Sequence, residues 1–359
     1  VLGSNALAAV GSSYTLMTFL TSIFLCLSMG AGALFSIYQG RKDLSSLKLS
    51  ILHAFLLILA VTLVLNLAVY AGIEPILTFL RVPDEVRPGM RTYLLIIFAG
   101  LIATSVYNFF SCMLRALGNS SVPLIFLAVS AVLNIALDLL FVAVLPFGIA
   151  GAALATVLAQ YVSAVGILLY VLLRCRMWLP SKKEWRFSHS ILKEILNLSS
   201  MTCIQQSVMN FGILMVQGLV NSFGPAVMAA FAAAVKIDTF AYLPVQDFGN
   251  AYSTFTAQNY GAGNLKRVKK GYMKAAGIMF IWGMFTTLLL IFGAVPIFSL
   301  FIHEPEVIPA GADYLRIIGF SEMFMCVELM TVGAMSGMGK TMEASVITII
   351  LTAARIPLA

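Results

Sequence analysis

Residues 85–94 read EVRPGMRTYL, and residues 306–315 read EVIPAGADYL, so Glu, Val, Pro, Tyr and Leu recur in register 221 positions apart. The same ungapped offset holds from Gly3 to Gly118. Further matched pairs are Gly3 and Gly224, Gly40 and Gly261, Leu44 and Leu265, Lys48 and Lys269, Pro75 and Pro296, and Gly118 and Gly339. Two unrelated apolar runs would not keep Pro on Pro and Gly on Gly, so the chain contains an internal repeat.

The composition predicts that the repeat is embedded in a membrane. Of the 359 residues, 60% are hydrophobic and only 10% are charged, against about 25% charged in soluble domains. Apolar runs near the roughly 20 residues needed to span hydrocarbon follow one another along the chain. We therefore predict an all-α integral membrane protein. Its ten predicted spans are 5–38, 48–79, 88–117, 121–146, 148–174, 191–222, 225–259, 267–301, 306–338 and 342–359.

The repeat unit contains six spans, and an even number returns the chain to its starting side of the membrane. The two halves should then share one orientation. We expect a twelve-helix transporter built of two parallel six-helix repeats, of which this chain covers about ten helices and lacks the first and most of the last two. The predicted domains are an N-lobe at 1–174 (helices 2–6), a cytoplasmic linker at 175–190 and an incomplete C-lobe at 191–359 (helices 7–11).

The distribution of charge predicts the orientation. The net charge is +7, but the basic residues cluster in every second loop, which is the pattern of cytoplasmic loops. These loops lie at 41–48, 174–193 and 266–274, with single basic residues at Arg115 and Lys340. This pattern favours a multi-pass protein of the cell (plasma or inner) membrane, partnered by the lipid bilayer, over a nucleic-acid-binding protein. The five cysteines form no CxxC pair, so neither a disulfide framework nor a zinc site is indicated.

Polar residues inside the spans are candidates for function, because each is costly in hydrocarbon unless it finds a partner. Asn134 and Asp138 are four residues apart and so share one helix face. An ionised Asp138 at membrane depth is expensive, and it should take up a proton or a cation. Other polar side chains could face a substrate cavity. These candidates are Glu328, Asp238, Lys236, Gln206 and Asn210.

Several short stretches together make the chain resemble the MATE (multidrug and toxic compound extrusion) family over nearly its whole length. They are ALAAVG at 6–11, RALG at 115–118, NIALD at 134–138, GIAGAALAT at 148–156, QNYGAG at 258–263 and RIP at 355–357. In archaeal and bacterial members an Asn, an Asp and a Thr surround a proton or sodium site, and the resemblance assigns those positions to Asn134, Asp138 and Thr156. NorM-like members also carry acidic residues in the second half. Met209 and Met325 stand at those positions here, and Glu328, one turn beyond Met325, could substitute.

The resemblance implies a secondary active transporter, not an enzyme. We expect an antiporter that exports amphipathic, cationic drugs by alternating access, driven by H⁺ or Na⁺ as coupling ion and with no other cofactor. No metal is expected beyond a Na⁺ at Asp138, and we expect a monomer. Met and Phe side chains, 18 and 25 in number, suit promiscuous binding of small organic cations. The alternative is a lipid-linked oligosaccharide flippase of the same superfamily. Such a cavity should be strongly basic, whereas only Lys236 and Arg355 lie deep in the spans.

Overall fold

The computed structural model describes residues 3–79, 87–145, 147–181, 184–221, 225–300 and 307–358. These residues are almost entirely helical and contain no β-strand. A π-helix, Leu139–Val144, follows α6, and a 3₁₀ turn, Arg176–Trp178, follows α7. The α-helices are α1 (Gly3–Arg41), α2 (Leu44–Ala71), α3 (Ile73–Phe79), α4 (Arg87–Ala99), α5 (Leu101–Ala116), α6 (Ser121–Asp138), α7 (Gly148–Arg174), α8 (His189–Asn221), α9 (Pro225–Gly261), α10 (Leu265–Phe292), α11 (Ala294–Ser299), α12 (Ile308–Gly337) and α13 (Thr341–Leu358).

The prediction of an all-α membrane protein is confirmed. Six of the described helices, or seven if α4 and α5 count as one bent span, are long and apolar enough to cross a bilayer. Three predicted spans are each divided by a break: α2 and α3 part at Gly72, α4 and α5 at Gly100, and α10 and α11 at Gly293.

The helix ends follow the sequence repeat. Helix α2 begins at residue 44 and α10 at residue 265, and both contain 28 residues. Asp43 and Asn264 cap these two helices in the same way, because each side chain accepts a hydrogen bond from the backbone N–H three residues on. Gly118 and Gly339 both take positive φ, +90° and +78°. The 221-residue offset is thus kept in local structure, while the parallel orientation of the two lobes stays a prediction.

One helix breaks in the first half where its counterpart continues. Helices α4 and α5 meet at Gly100 with a bend of 41°. The corresponding position in the second half is Ser321, inside the unbroken α12. A bend frees backbone carbonyl groups that must find donors in an apolar surrounding. The buried amide of Asn66 on α2 supplies one by donating to the Phe98 carbonyl at 2.8 Å.

The chain divides into two compact units, Val1–Phe35 with Asp43–Cys203, and Ser36–Lys42 with Ile204–Ala359. In the first unit, the linker after α7 packs on α2 through a hydrogen bond from the Ser188 N–H to His53. In the second unit, two apolar clusters lie along α9, α10 and α12, one of them around Phe298 and the other around Met330. The predicted lobe boundaries at 174 and 191 stay a prediction.

Candidate functional site

Asp138 lies where the α-helical hydrogen-bonding pattern changes. Helix α6 ends at this residue, and the chain continues as the π-helix Leu139–Val144. The wider turn persists to the end of that segment, since the N–H of Leu145 donates to the Leu140 carbonyl at 2.7 Å. Short π-helical segments are frequent at functional sites, because the extra residue redirects side chains. The local backbone therefore sets Asp138 apart from the rest of α6.

Asn134 on α6 and Thr156 on α7 lie in contact with each other. The Asn134 amide Nδ2 donates to the Thr156 Oγ1 at 3.4 Å. The Thr156 hydroxyl in turn donates to the Ala152 carbonyl at 3.1 Å. With the amide nitrogen engaged in this way, the carbonyl oxygen of Asn134 stays available as an acceptor or as a cation ligand.

The Asp138 carboxyl group is half-buried one turn beyond Asn134. Its Oδ1 is shielded from solvent and has no hydrogen-bond partner among the described residues. The phenol of Tyr93 on α4 lies close enough to interact electrostatically with Asp138, a neighbour that the sequence analysis missed. A shielded carboxylate oxygen without a partner is costly, and this cost favours the uptake of a proton or a cation.

A pair of acidic residues lies in the second unit, inside its helix bundle. The carboxyl groups of Asp238 on α9 and Glu322 on α12 face each other within hydrogen-bond range. Glu322 is only 1% exposed. The oxygens Asp238 Oδ1 and Glu322 Oε2 are shielded from solvent and have no hydrogen-bond partner among the described residues. Two ionised carboxylates in such a place would repel strongly, so this geometry suits a pair that shares one proton.

The remaining predicted cavity residues do not gather at this pair. Lys236 is exposed, Glu328 is half-buried, and neither makes a hydrogen bond or an ion pair within the described ranges. Gln206 is half-buried on α8. Asn210 also falls on α8, but its side chain lies outside the described residues. The sequence analysis therefore selected Asp238 and missed its acidic neighbour Glu322. The prediction that Glu328 substitutes for the acidic residue at the position of Met325 stays a prediction.

Comparison with known proteins gives one consistent result. The family model MatE matches residues 1–140 and 199–359. The probable multidrug resistance protein YpnP of Bacillus subtilis is 32% identical over 354 residues, covering 98% of this chain and 78% of that protein. The probable multidrug resistance protein NorM of Thermotoga maritima is 26% identical over 361 residues, covering 99% of this chain and 77% of that protein.

A solved structure, described as MATE in the bent conformation, aligns with a TM-score of 0.91 at 21% identity and covers 97% of this chain and 78% of that one. At this identity the likeness shows a common fold. The family model covers well over half of the residues, and YpnP aligns along almost the whole chain. This chain therefore belongs to the MATE family of membrane transporters.

Proposed function

We propose that the protein is a multidrug antiporter that exports amphipathic organic cations in exchange for an inward flow of H⁺ or Na⁺. The observation that carries the proposal is the shielded, unpartnered oxygen of Asp138 at the end of α6. Such a group is suited to reversible ion binding. An ionised carboxylate without a partner is unfavourable there, and the binding of a proton or a cation removes that free-energy cost.

Ion binding drives export only if the ion prefers one conformation of the transporter over another. The junction of α6 with the π-helix gives Asp138 a backbone whose hydrogen bonds can rearrange at small cost. Protonation would neutralise the carboxyl group and allow it to donate to a neighbour, which changes the bonding at that junction. We infer that this change biases α6 between two arrangements and so links ion entry to substrate exit.

Two features favour H⁺ over Na⁺ as the coupling ion. A hard metal cation is usually held by about six oxygen ligands, whereas this site offers oxygens from Asp138, Asn134 and Thr156. The facing carboxyl groups of Asp238 and Glu322 form a place for one shared proton in the second unit. Both sites need only a proton to relieve their unfavourable charge.

The preference for cationic substrates rests on the acidic groups inside the helices, and the proposal of multidrug export rests on the relatives' names. YpnP and NorM are described as multidrug resistance proteins, and neither name points to a flippase. The chain also has 18 Met and 25 Phe, and such flexible or aromatic side chains adapt to substrates of different shape. The flippase alternative requires a strongly basic cavity, whereas Asp238 and Glu322 are acidic.

Dye accumulation in cells tests the proposed export. Cells that express the protein should accumulate less ethidium than cells carrying an empty vector. Collapse of the proton gradient with an ionophore should abolish the difference, while replacement of external Na⁺ by K⁺ should preserve it. Equal accumulation in both cell lines, with the protein present in the membrane, would contradict the proposal of multidrug export.

A further inference from the structure

A groove lies in the first unit between α2, the linker after α7 and the start of α8, and is called here the linker groove. It encloses about 440 Å³, within the range of roughly 300–1,000 Å³ that is common for small-molecule sites. Leu52, Leu56 and Leu57 of α2 form one wall, and Trp185, Arg186 and Phe187 of the linker form the other. The groove therefore combines an apolar wall with a single cation.

The linker is held in place over α2 by specific contacts. The Ser188 N–H donates to His53 Nε2 at 2.9 Å, and the opposite ring nitrogen of His53 donates to the Leu49 carbonyl at 2.8 Å. On the other side of the Trp-Arg-Phe stretch, Lys48 pairs with Glu184 at 3.1 Å. Residues 185–187 are thus fixed at both ends, and the groove is formed before any ligand arrives.

The charge of the groove is not neutralised by the protein. Glu184 is already engaged by Lys48 and by the N–H of Ser181. Arg186 is exposed and makes no hydrogen bond or ion pair in the part of the chain that the structure describes. A guanidinium group offers paired N–H donors that match the geometry of a phosphate group. Charge complementarity therefore favours the binding of an anion beside Arg186.

The exposed apolar side chains of the groove favour a lipid environment. Trp185 is 60% exposed, Phe187 75% and Leu56 50%, which is unfavourable in water but usual where a protein meets the headgroup region of a bilayer. The wall of the groove on α2 runs from Leu52 to Leu57, on the third and fourth turns of a helix that follows a basic loop predicted to be cytoplasmic. Leu57 is thirteen residues beyond the start of that helix, a rise of about 20 Å, so the wall reaches from the interface into the hydrocarbon.

We propose that the linker groove binds an anionic phospholipid of the cytoplasmic leaflet. The phosphate group of the lipid pairs with Arg186, the ring of Trp185 lies at the headgroup boundary, and an acyl chain lies along Leu52, Leu56 and Leu57. The bound lipid neutralises Arg186 and covers the exposed aromatic side chains. This site is separate from Asp138 and does not depend on the coupling ion.

Tryptophan fluorescence can test the proposal, because the chain has only three tryptophans. A variant with Trp178→Phe and Trp282→Phe retains Trp185 as its single reporter. The variant is reconstituted in phosphatidylcholine vesicles that contain a small fraction of a brominated lipid. This lipid is either brominated phosphatidylglycerol or brominated phosphatidylcholine. We expect brominated phosphatidylglycerol to quench Trp185 more strongly than the same fraction of brominated phosphatidylcholine. Arg186→Gln should reduce this preference by about fivefold, which is the contribution of one basic residue at an anionic surface.

Matched controls separate a lipid site from general charge. Arg176→Gln removes an exposed cation of the linker that does not line the groove, and it should leave the preference unchanged. A variant that retains only Trp282 should be quenched equally by both lipids and should report that Arg186→Gln folds normally. Excess inorganic phosphate should not displace the lipid. Equal quenching of Trp185 by the two lipids, the same loss in Arg176→Gln, or displacement by phosphate would each overturn the proposal.

Discussion

The acidic residues inside the helices have two different environments. Asp138 has one shielded oxygen without a partner among the described residues, and the phenol of Tyr93 lies close enough to interact with it electrostatically. The carboxyl groups of Asp238 and Glu322 instead face each other. An isolated carboxyl group can bind a proton or a cation, whereas a facing pair holds a shared proton that it gives up reluctantly. We expect substitutions at the two places to have different effects.

Glu322→Gln should reduce proton-driven export while preserving the fold. The amide of Gln can still donate to Asp238, so the helix contact is kept, but it cannot release a proton. We expect transport driven by a pH gradient to fall by about 5- to 150-fold, the usual range for the coupling between two sites. The measurement is the initial rate of substrate uptake in inverted proteoliposomes.

Glu328→Gln is the matched control for this substitution. Glu328 lies on the same helix, is only half-buried and makes no described polar contact. Its neutralisation should leave the rate unchanged. Equal rates for Glu322→Gln and the unmodified protein would show that the carboxyl pair is a structural contact only.

How far the sequence predicts these sites depends on the distance between partners along the chain. Asn134 and Asp138 could be paired from their spacing on one helix, and Thr156 was added by the family resemblance. Tyr93 and Glu322 could not be found in this way, because their partners lie on other helices. Which residues face each other across two helices depends on the packing, and spacing within one helix carries no information on it.

At the scale of helices, close contact between α9 and α12 depends on glycine. A Cβ atom added at Gly333 would lie 2.5 Å from the Gly249 carbonyl oxygen, so Gly333→Ala must push the two backbones apart. We expect a loss of about 1–3 kcal/mol in the free energy of unfolding and a lower Tm in detergent.

Gly277→Ala on α10 provides the comparison, because a Cβ atom there meets nothing within 4 Å. Alanine is the better helix former by about 0.5–1 kcal/mol, so this variant should be as stable as the unmodified protein or more so. A similar loss of Tm in both variants would contradict the packing that we describe for α9 and α12.

The α3–α4 connection should weaken in acid. Glu74 on α3 accepts from Arg87 at 2.9 Å and from Arg91 at 2.8 Å, and these hydrogen bonds lower the pKa of its carboxyl group. With a lowered pKa in the folded state, the stabilisation is present above the ordinary pKa of Glu, about 4.3, and is lost as the pH falls through the folded-state value. The loss of stability should be small because both ion pairs are exposed.

Hydrogen exchange can measure this effect. Amide protection of α3, corrected for the intrinsic pH dependence of exchange, should fall on acidification. Glu74→Gln should already show the low protection at neutral pH and should not respond further. A pH response of the same size in Glu74→Gln would refute the role of these ion pairs.

The positions of whole helices were easier to predict than their interruptions. The apolar runs located α7 at 148–174, and the 221-residue offset predicted that α10 starts at the position matching the start of α2. The breaks at Gly72, Gly100 and Gly293 were missed, since the chain remains apolar across them and hydropathy does not register a change of direction. The π-helix after Asp138 was missed for the same reason, because its residues are as apolar as those of α6.

On the scale of the whole molecule, the MATE family membership fixes the fold and the class of transporter, while the coupling ion and the substrate charge are our proposals. The two units contribute different chemistry, with the Asn134–Thr156–Asp138 group in the first and the Asp238–Glu322 pair in the second. If both exchange protons during one transport cycle, export should depend on the pH gradient and be insensitive to a Na⁺ gradient at constant membrane potential.

The most direct test of ion coupling is transport by Asp138→Asn in proteoliposomes under an imposed ion gradient. Asparagine mimics a permanently protonated acid, so the protein should fold, insert and bind substrate, yet gradient-driven export should fall to the level of liposomes without protein. Asn134→Ala should weaken the same activity less, since it removes only a neighbour of the acid. Export by Asp138→Asn at the unmodified rate would contradict the central claim and make Asp138 a structural residue.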